Sequence, residues 1–190
     1  MAEPDRSITV NDPTSMRALA HPLRLKLLGI LRVEGPRSVG QLADAVDEAP
    51  GSISYHLGTL AKSGFVVEAP ELARDGRERW WRAAHQLTES HPAQLREDPQ
   101  TFGAYQAMRR AILATYLAEQ LAALDAEAGL ERPWLEASTS GDSIGHLTLE
   151  QFREFTDELN ALNARWSEIG RHEGAGTTPI HFIYSAFVRP

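Results

Sequence analysis

Apolar residues recur at helical spacing along the front half of this chain. In PLRLKLLGILRVEG, Leu23, Leu27 and Leu31 fall on one helix face, and the leading proline suits the first turn because it lacks an N–H. In SVGQLADAV, Ser38 and Gln41 are three residues apart, which predicts a capping box. The short stretch MRALA precedes both, so three helices are expected before the next break in the pattern.

A fourth helix is predicted over PGSISYHLGTLAKSG, residues 50–64. It starts with a proline and ends before a glycine, and Ile53, Leu57 and Leu60 form its inner stripe. The pattern then changes to two short apolar runs, FVVEA and RWWRA, separated by Pro and Asp-Gly turn signals. Residues 15–83 therefore predict four helices followed by a β-hairpin with an arginine-rich tip.

A polar connector, residues 84–103, leads to a long helix predicted over residues 104–129. Two apolar stripes run along this helix, and a helix so broadly apolar must be covered on two sides. Its own domain can cover one stripe, and a second subunit is the natural cover for the other. The stripe assigned to dimerisation consists of Leu113, Leu117, Leu121 and Leu124.

The last part of the chain, residues 130–190, predicts a small strand–helix–strand unit. Its helix begins with a capping box of Thr148 and Gln151 and carries apolar residues at spacings of three and four. The extended runs are WLEASTSGDSIGHL before the helix and PIHFIYSAFV after it. The apolar helix face is predicted to pack on the small sheet, with an intermolecular coiled coil as the alternative. The fold class is therefore mainly α, of the α+β kind.

The composition fits a folded chain that lies outside membranes. Hydrophobic residues make up 42% of the sequence, and no apolar run approaches the roughly 18 residues of a membrane span. Residues 1–14 are polar and lack a signal-peptide pattern, so a flexible leader is expected there. There is no cysteine, which removes disulfides and thiolate metal sites. These features favour a cytoplasmic protein.

The net charge of −7 is distributed unevenly along the chain. Residues 15–83 carry ten Lys/Arg against eight Asp/Glu, whereas residues 84–190 carry eight against fifteen. A mildly basic front half is therefore joined to an acidic back half. The overall negative charge does not argue against nucleic acid as a partner of the front half.

The outer face of the fourth helix carries short or flat polar side chains and no acid. Such side chains can exchange hydrogen bonds with base edges when a helix enters the major groove, which is about 12 Å wide. Ser54 and His56 lie two residues apart, so they face different directions and do not form a nucleophile–base pair. The predicted reading face on helix 51–63 comprises Ser52, Ser54, Tyr55, His56 and Thr59.

Four stretches together are similar to the winged helix-turn-helix of ArsR-type bacterial transcriptional regulators: MRALAHPLRLKLLGIL, SVGQLADAV, SISYHLGTLAKSGFVV and RDGRERWWRA. The resemblance covers about residues 15–83. It implies a repressor that binds an inverted-repeat operator as a homodimer, with residues 51–63 as recognition helix and Arg74, Arg77 and Arg79 on the wing. Arginines at such a tip can reach phosphates or enter a narrow minor groove.

Other chemistries have less support in the sequence. Metal-sensing members of this family use cysteines or Asp/His sets, but this chain has no cysteine and no His pair at helical i, i+4 spacing. No metal and no other cofactor is therefore expected. Phosphate-loop, G-x-S-x-G and zinc-protease patterns are also absent from the sequence, so no enzyme is expected.

Two functional hypotheses follow. The first is a homodimeric DNA-binding transcriptional regulator, a repressor, whose partners are double-stranded DNA and a second copy of the chain. The second is a winged-helix module that binds a protein partner without sequence-specific DNA binding. A small-molecule effector remains open, because the C-terminal aromatic residues form either the core of their unit, which is the favoured interpretation, or a ligand pocket.

Overall fold

The computed structural model describes residues 5–73, 78–170 and 174–189. The chain divides into two compact units, Met1–Asp125 and Ala126–Pro190. The described residues are mostly helical with two small sheets, so the predicted α+β class is confirmed.

Four helices form the frame of the first unit, and their ends follow the capping signals of the sequence. The Asp12 side chain accepts hydrogen bonds from the backbone N–H groups of Thr14 and Ser15, each at 2.9 Å. The capping box of Ser38 and Gln41 is present. The helices are α1 Pro13–Leu19, α2 Pro22–Val33, α3 Val39–Val46 and α4 Pro50–Lys62.

A three-stranded antiparallel sheet packs beside these helices and carries the wing. Its strands are β2 Arg37–Ser38, β3 Val66–Glu68 and β4 Trp80–Ala83, in the order β2-β4-β3. The inner residues of the four helices and of this sheet share one hydrophobic core, in which Phe65 is among the largest fully buried side chains. Residues 74–77, the tip between β3 and β4, lie outside the described residues.

The expectation of a flexible leader over residues 1–14 is wrong for residues 5–14. Strand β1, Asp5–Thr9, pairs in parallel with β5, His85–Glu89. Val10 is fully buried, and its N–H donates to the carbonyl oxygen of Glu89 at 2.9 Å. The hydrogen-bonding partner of β1 lies about 80 residues further along the chain, so no local sequence signal announces the strand.

The predicted connector over residues 84–103 is largely regular structure. It contains β5 and the short helix α5, Pro92–Leu95, whose Leu95 enters the core. The long helix, α6, spans Pro99–Ala126 rather than residues 104–129. Asp98 accepts a hydrogen bond from the Thr101 N–H at 2.9 Å, so this side chain supplies the start signal that the prediction missed.

The second unit contains α7, Arg132–Ala137, and α8, Leu149–Ile169. The prediction of strands on either side of α8 is wrong for the described residues of this unit. Within residues 126–170 and 174–189 no strand is assigned, and no side chain is buried. A strand requires a hydrogen-bonded neighbour, and the described part of this unit supplies none. The capping box of Thr148 and Gln151 is present at the start of α8. None of the described helices is long and apolar enough to cross a membrane.

Candidate nucleic-acid interface

The candidate interface is the pair α3 and α4 together with the β3–β4 hairpin. Asp47 closes α3 in the left-handed region, with φ of 55°, and this tight turn lets α4 begin at Pro50. Ile53, Leu57 and Leu60 of α4 are fully buried against the other helices. This inner stripe fixes which side of α4 faces outward.

Four of the five predicted reading residues lie on the accessible side of α4. Tyr55 is 70% exposed, and Ser52, Ser54 and Thr59 are partly exposed. The Thr59 hydroxyl donates to the carbonyl oxygen of Tyr55 at 3.1 Å, so its oxygen is left as an acceptor. No Asp or Glu lies on α4. The accessible face thus offers hydroxyl donors and acceptors without a carboxylate to repel phosphate.

His56 does not lie on that face, and its prediction as an outward reading residue is corrected. It is only 9% exposed, and its Nδ1 atom lies 3.5 Å from Arg24 Nη1. Its ring centroid is 4.6 Å from that of His21, and Tyr55 meets it edge-on at 5.3 Å. His56 therefore lies on the inner side of α4, where it supports the helix and contacts the edge of the Tyr55 ring.

The Ala-His-Pro-x-Arg stretch, residues 20–24, builds this support. The His21 Nδ1 atom accepts from the Leu23 N–H at 3.2 Å and caps α2. Arg24 donates through Nε to the carbonyl oxygen of Ala18, and through Nη2 to that of Arg17 at 2.9 Å. The guanidinium thus joins the end of α1 to α2 and reaches the His56 ring of α4. From the sequence this stretch is recognised only by its family resemblance, which gives it no role.

Burial and positive neighbours lower the pKa values of His21 and His56. Desolvation is the first cause that lowers the pKa of His56, followed by the charges of His21 and Arg24, while Glu48 raises it. Desolvation and Arg24 likewise lower the pKa of His21. Both shifts favour the neutral form of the rings, so Arg24 is the main cation of the cluster.

The wing places its described arginines in ion pairs at the base of the hairpin. Arg79 pairs with Glu68 and lies over the Trp81 ring, with 5.2 Å from its guanidinium carbon to the ring centroid. Arg82 pairs with Glu71. Arg82 was not predicted as a wing residue from the sequence. The predicted contacts Arg74 and Arg77 lie outside the described residues.

The long helix α6 shows one covered and one open stripe. Ala104 and Met108 are buried in the core of the first unit, with Tyr105 and Ile112 packed against it. The stripe of Leu113, Leu117, Leu121 and Leu124 is 50 to 58% exposed. An apolar row of this length on a protein surface is typical of an interaction site.

Within the described residues, no three His, Asp or Glu side chains come together as a metal would require. The described interface combines a helix face of hydroxyls and a tyrosine with a neighbouring hairpin that carries arginines. Hydrogen bonds and charge on such a surface suit recognition.

The fold and the site define a winged helix-turn-helix domain. Residues 19–69 match the model of a family described as helix-turn-helix domain. The helix-turn-helix resemblance predicted from the sequence is confirmed over these residues.

Two curated proteins are relatives of this domain. Both are named biofilm growth-associated repressor, and they come from the Temecula1 and 9a5c strains of Xylella fastidiosa. Each is 38% identical over 80 residues, which are 42% of this chain and 62% of the relative. The chain therefore spans less than two thirds of the length of these relatives.

Solved structures with similarity to the chain include two mycobacterial proteins. One is the homodimeric winged helix-turn-helix DNA-binding domain of a protein from Mycobacterium bovis, described as a possible ArsR-family transcriptional regulator. It is 22% identical, with 56% of this chain and 77% of that chain covered, at a TM-score of 0.34. The other is Rv0081 of M. tuberculosis, 29% identical, with 56% and 89% covered, at a TM-score of 0.33.

Proposed function

We propose that this protein is a homodimeric DNA-binding transcriptional regulator that represses by occupying an inverted-repeat operator. The observation that carries the proposal is the acid-free outer face of α4, presented by a helix-turn-helix domain. The 38% identity to repressors of Xylella fastidiosa over 80 residues supports the same class. No catalytic step is assigned to the protein.

The reading contacts are assigned to Ser52, Ser54, Tyr55 and Thr59. Serine and threonine hydroxyls can both donate to and accept from base edges, and Tyr55 adds a large exposed side chain that can contact a base or a phosphate. His56 is assigned to positioning, because its ring is buried between α4 and the start of α2.

The wing arginines Arg74, Arg77 and Arg79 are assigned to the DNA backbone. The ion pair of Arg79 with Glu68 involves side chains that are each about half exposed. Such a surface pair is worth about 0–1 kcal/mol, so Arg79 can exchange its carboxylate for a phosphate. Each phosphate contact that is lost should reduce the slope of log affinity against log salt by about one.

The open leucine stripe of α6 supports a homodimer. A second copy that covers Leu113, Leu117, Leu121 and Leu124 removes their half-exposed surface from water. A two-fold pair would present two α4 helices to successive major grooves, about 34 Å apart. Its operator would therefore be an inverted repeat.

Selection of bound duplexes from a random library tests the proposal directly. The expected result is an inverted repeat whose half-sites are one helical turn apart. Recovery of unrelated sequences, with the same affinity as random duplex, would contradict sequence-specific reading.

A pair of substitutions links the selected site to α4. Tyr55→Ala should reduce affinity for the operator by about tenfold or more, since a specific contact is worth about 1–3 kcal/mol. Val33→Ala is the matched control, because Val33 is 66% exposed on α2 and should leave affinity unchanged. Equal affinity for the two variants would remove α4 from the reading role.

The dimer is tested by charge on α6. Leu117→Asp should shift the chain from dimer to monomer in sedimentation velocity, because the charge would have to be desolvated in the interface. Ala118→Asp, at the adjacent exposed position of the same helix, should leave the dimer intact. A Leu117→Asp variant that remains dimeric would contradict this interface.

A protein partner for the winged helix is the competing function. Changing Arg74, Arg77 and Arg79 together to alanine separates the two. DNA binding should be lost under the present proposal, whereas a protein complex that forms without DNA and survives this change would favour the competitor.

A further inference from the structure

The second unit has an open apolar seam on α8. Phe155, Leu162, Trp166 and Ile169 are between 46 and 62% exposed. Phe152 and Leu159, on the neighbouring stripe, are less exposed, and the Tyr184 hydroxyl donates to Asn160 Oδ1 at 3.3 Å on that side. The unit thus partly covers one side of its helix and leaves open the seam of Phe155, Leu162, Trp166 and Ile169.

Two opposite charges border the seam on the same side. Phe155, Leu162 and Ile169 recur every seven residues and take the d-type positions of a heptad, so Glu158 and Arg165 take its g-type positions, which lie beside them on the helix surface. The guanidinium carbon of Arg165 lies 5.3 Å from the Trp166 ring centroid. Neither charge forms an ion pair with another described residue.

We propose that α8 pairs antiparallel with α8 of a second copy, about a two-fold axis near Leu162. In this arrangement Phe155 of one copy lies opposite Ile169 of the other, and the two Leu162 side chains meet. The same axis brings Glu158 of each copy next to Arg165 of the other. The seam of one copy therefore complements the seam of the other in both shape and charge.

The direction follows from the charges at the borders of the seam. An antiparallel pair joins g-type positions to g-type positions, and this gives two Glu158–Arg165 pairs. A parallel pair would join g-type to e-type positions, which sets Glu158 against Asn163 and Arg165 against Gly170. The parallel arrangement gains no ion pair, so the antiparallel one is favoured.

The seam is too short to hold two free chains together firmly. Phe155 to Ile169 spans about 21 Å, and isolated helices of about this length are marginal in water. The inference rests on the proposed homodimer, because chains already joined through α6 present the two seams at high effective concentration. The α8 pair then adds to that dimer.

Disulfide trapping in the full-length chain tests the pairing cleanly, since the natural sequence has no cysteine. Leu162→Cys should form a covalent dimer under mild oxidation. Ala164→Cys, on the outer face of the same helix, is the control and should not.

The direction is tested by mixing single-cysteine variants. Glu158→Cys mixed with Arg165→Cys should cross-link after subunit exchange, whereas each variant alone should not. Asp157→Cys mixed with Ala164→Cys has the same seven-residue spacing on the outer face and should give no product. Cross-linking that is absent, or equal in both mixtures, would overturn the pairing and indicate another cover for the seam.

Charge exchange provides a readout without cysteine. Glu158→Arg should raise the dimer dissociation constant by about threefold to tenfold, as expected for exposed ion pairs turned into like-charge contacts. Adding Arg165→Glu should restore it. A double variant as weak as the single one would overturn the proposed pair.

Operator binding, measured on the same samples, separates the two proposals. Specific DNA binding without the α8 cross-link would overturn this inference and leave the proposed function standing. The cross-link without specific DNA binding would support the α8 pair and contradict the regulator.

Discussion

Both units of this protein contain a helix that begins with a capping box, yet the two helices have different fates. In the first unit, α3 starts at Ser38 and Gln41 and buries Leu42 and Ala43 in a continuous core. In the second, α8 starts at Thr148 and Gln151 and buries no side chain. Local signals form a helix in either place, but a core requires neighbours on its apolar side.

The difference bears on which surface of each unit the two proposals use. The first unit has a buried interior that holds the outer face of α4 in a fixed position, and the proposed DNA contacts are assigned to that face. The second unit has about half of its α8 seam exposed, so its apolar surface is available to a second chain.

Matched leucine substitutions compare the buried interior of the first unit with the exposed apolar surface of the second. Leu57 is fully buried, and Leu57→Ala should lower the free energy of unfolding of the first unit by about 2–5 kcal/mol. Leu147 of the second unit is 53% exposed, and Leu147→Ala should change stability by less than about 0.5 kcal/mol. Urea denaturation of both variants makes the comparison. Equal losses would mean that the second unit has a core of its own.

A partly buried connection in the first unit should give the next largest effect. Arg32 Nε donates to the His85 carbonyl oxygen at 2.9 Å, and its Nη2 donates to Thr88 Oγ1 at 2.8 Å. Burial lowers the pKa of Arg32 to about 10. Arg32→Ala leaves these acceptors without their donor, which should cost about 1–3 kcal/mol in urea denaturation.

Arg37→Ala is the matched control for Arg32. Arg37 forms a partly exposed ion pair with Glu34 at 3.2 Å, which should contribute about 1 kcal/mol or less. Limited proteolysis gives a second measurement, because loss of Arg32 should expose β1 and β5 to cleavage. If both arginine variants lose the same stability, Arg32 does not connect α2 to these strands.

Removing the two capping boxes should give smaller and different effects. Ser38→Ala and Thr148→Ala each remove a side-chain acceptor at a helix start, which costs about 1 kcal/mol. For Ser38 the loss should appear in the cooperative unfolding of the first unit. For Thr148 it should appear as reduced helicity in circular dichroism, with the urea midpoint of the first unit unchanged. A shift of that midpoint by Thr148→Ala would mean that α8 contributes to the stability of the first unit, which contradicts the contrast between the two units.

Sequence patterns predicted the elements that depend on near neighbours. The four front helices and both capping boxes follow from spacings of three and four residues. His56 was assigned to the outer face, although Ile53, His56, Leu57 and Leu60 follow the i, i+3, i+4, i+7 spacing of an inner stripe. Its polar identity hid that position, and only the contacts with His21 and Arg24 reveal its burial.

Elements that depend on distant partners were not predictable in the same way. Strand β1 needs β5, which lies about 80 residues away. The strands expected around α8 lack a partner within the described residues of the second unit. The run PIHFIYSAFV has the composition of a strand, but composition does not supply the hydrogen bonds that a strand needs.

The smallest expected effect is a mild acid sensitivity of the first unit, which arises from His21 and His56. Burial and Arg24 hold the pKa values of His21 and His56 below their usual 6.5 in the folded state. The unfolded chain therefore binds more protons than the folded chain as the pH falls below about 6.5. Stability should be complete above that pH and should decrease from there toward the lower folded pKa. The acids with lowered pKa, Asp12, Glu71 and Asp98, act in a separate window near pH 4 and below.

Urea denaturation at pH 7.5, 6.5 and 5.5 measures this effect. His56→Gln should flatten the decrease, because an amide does not titrate, and His21→Asn should do the same while retaining a helix-capping side chain. His146→Gln changes an exposed histidine of the second unit and should leave the pH profile of the first unit as it is. A profile that keeps its full slope in the His21 and His56 variants would show that this cluster does not couple protonation to the position of α4.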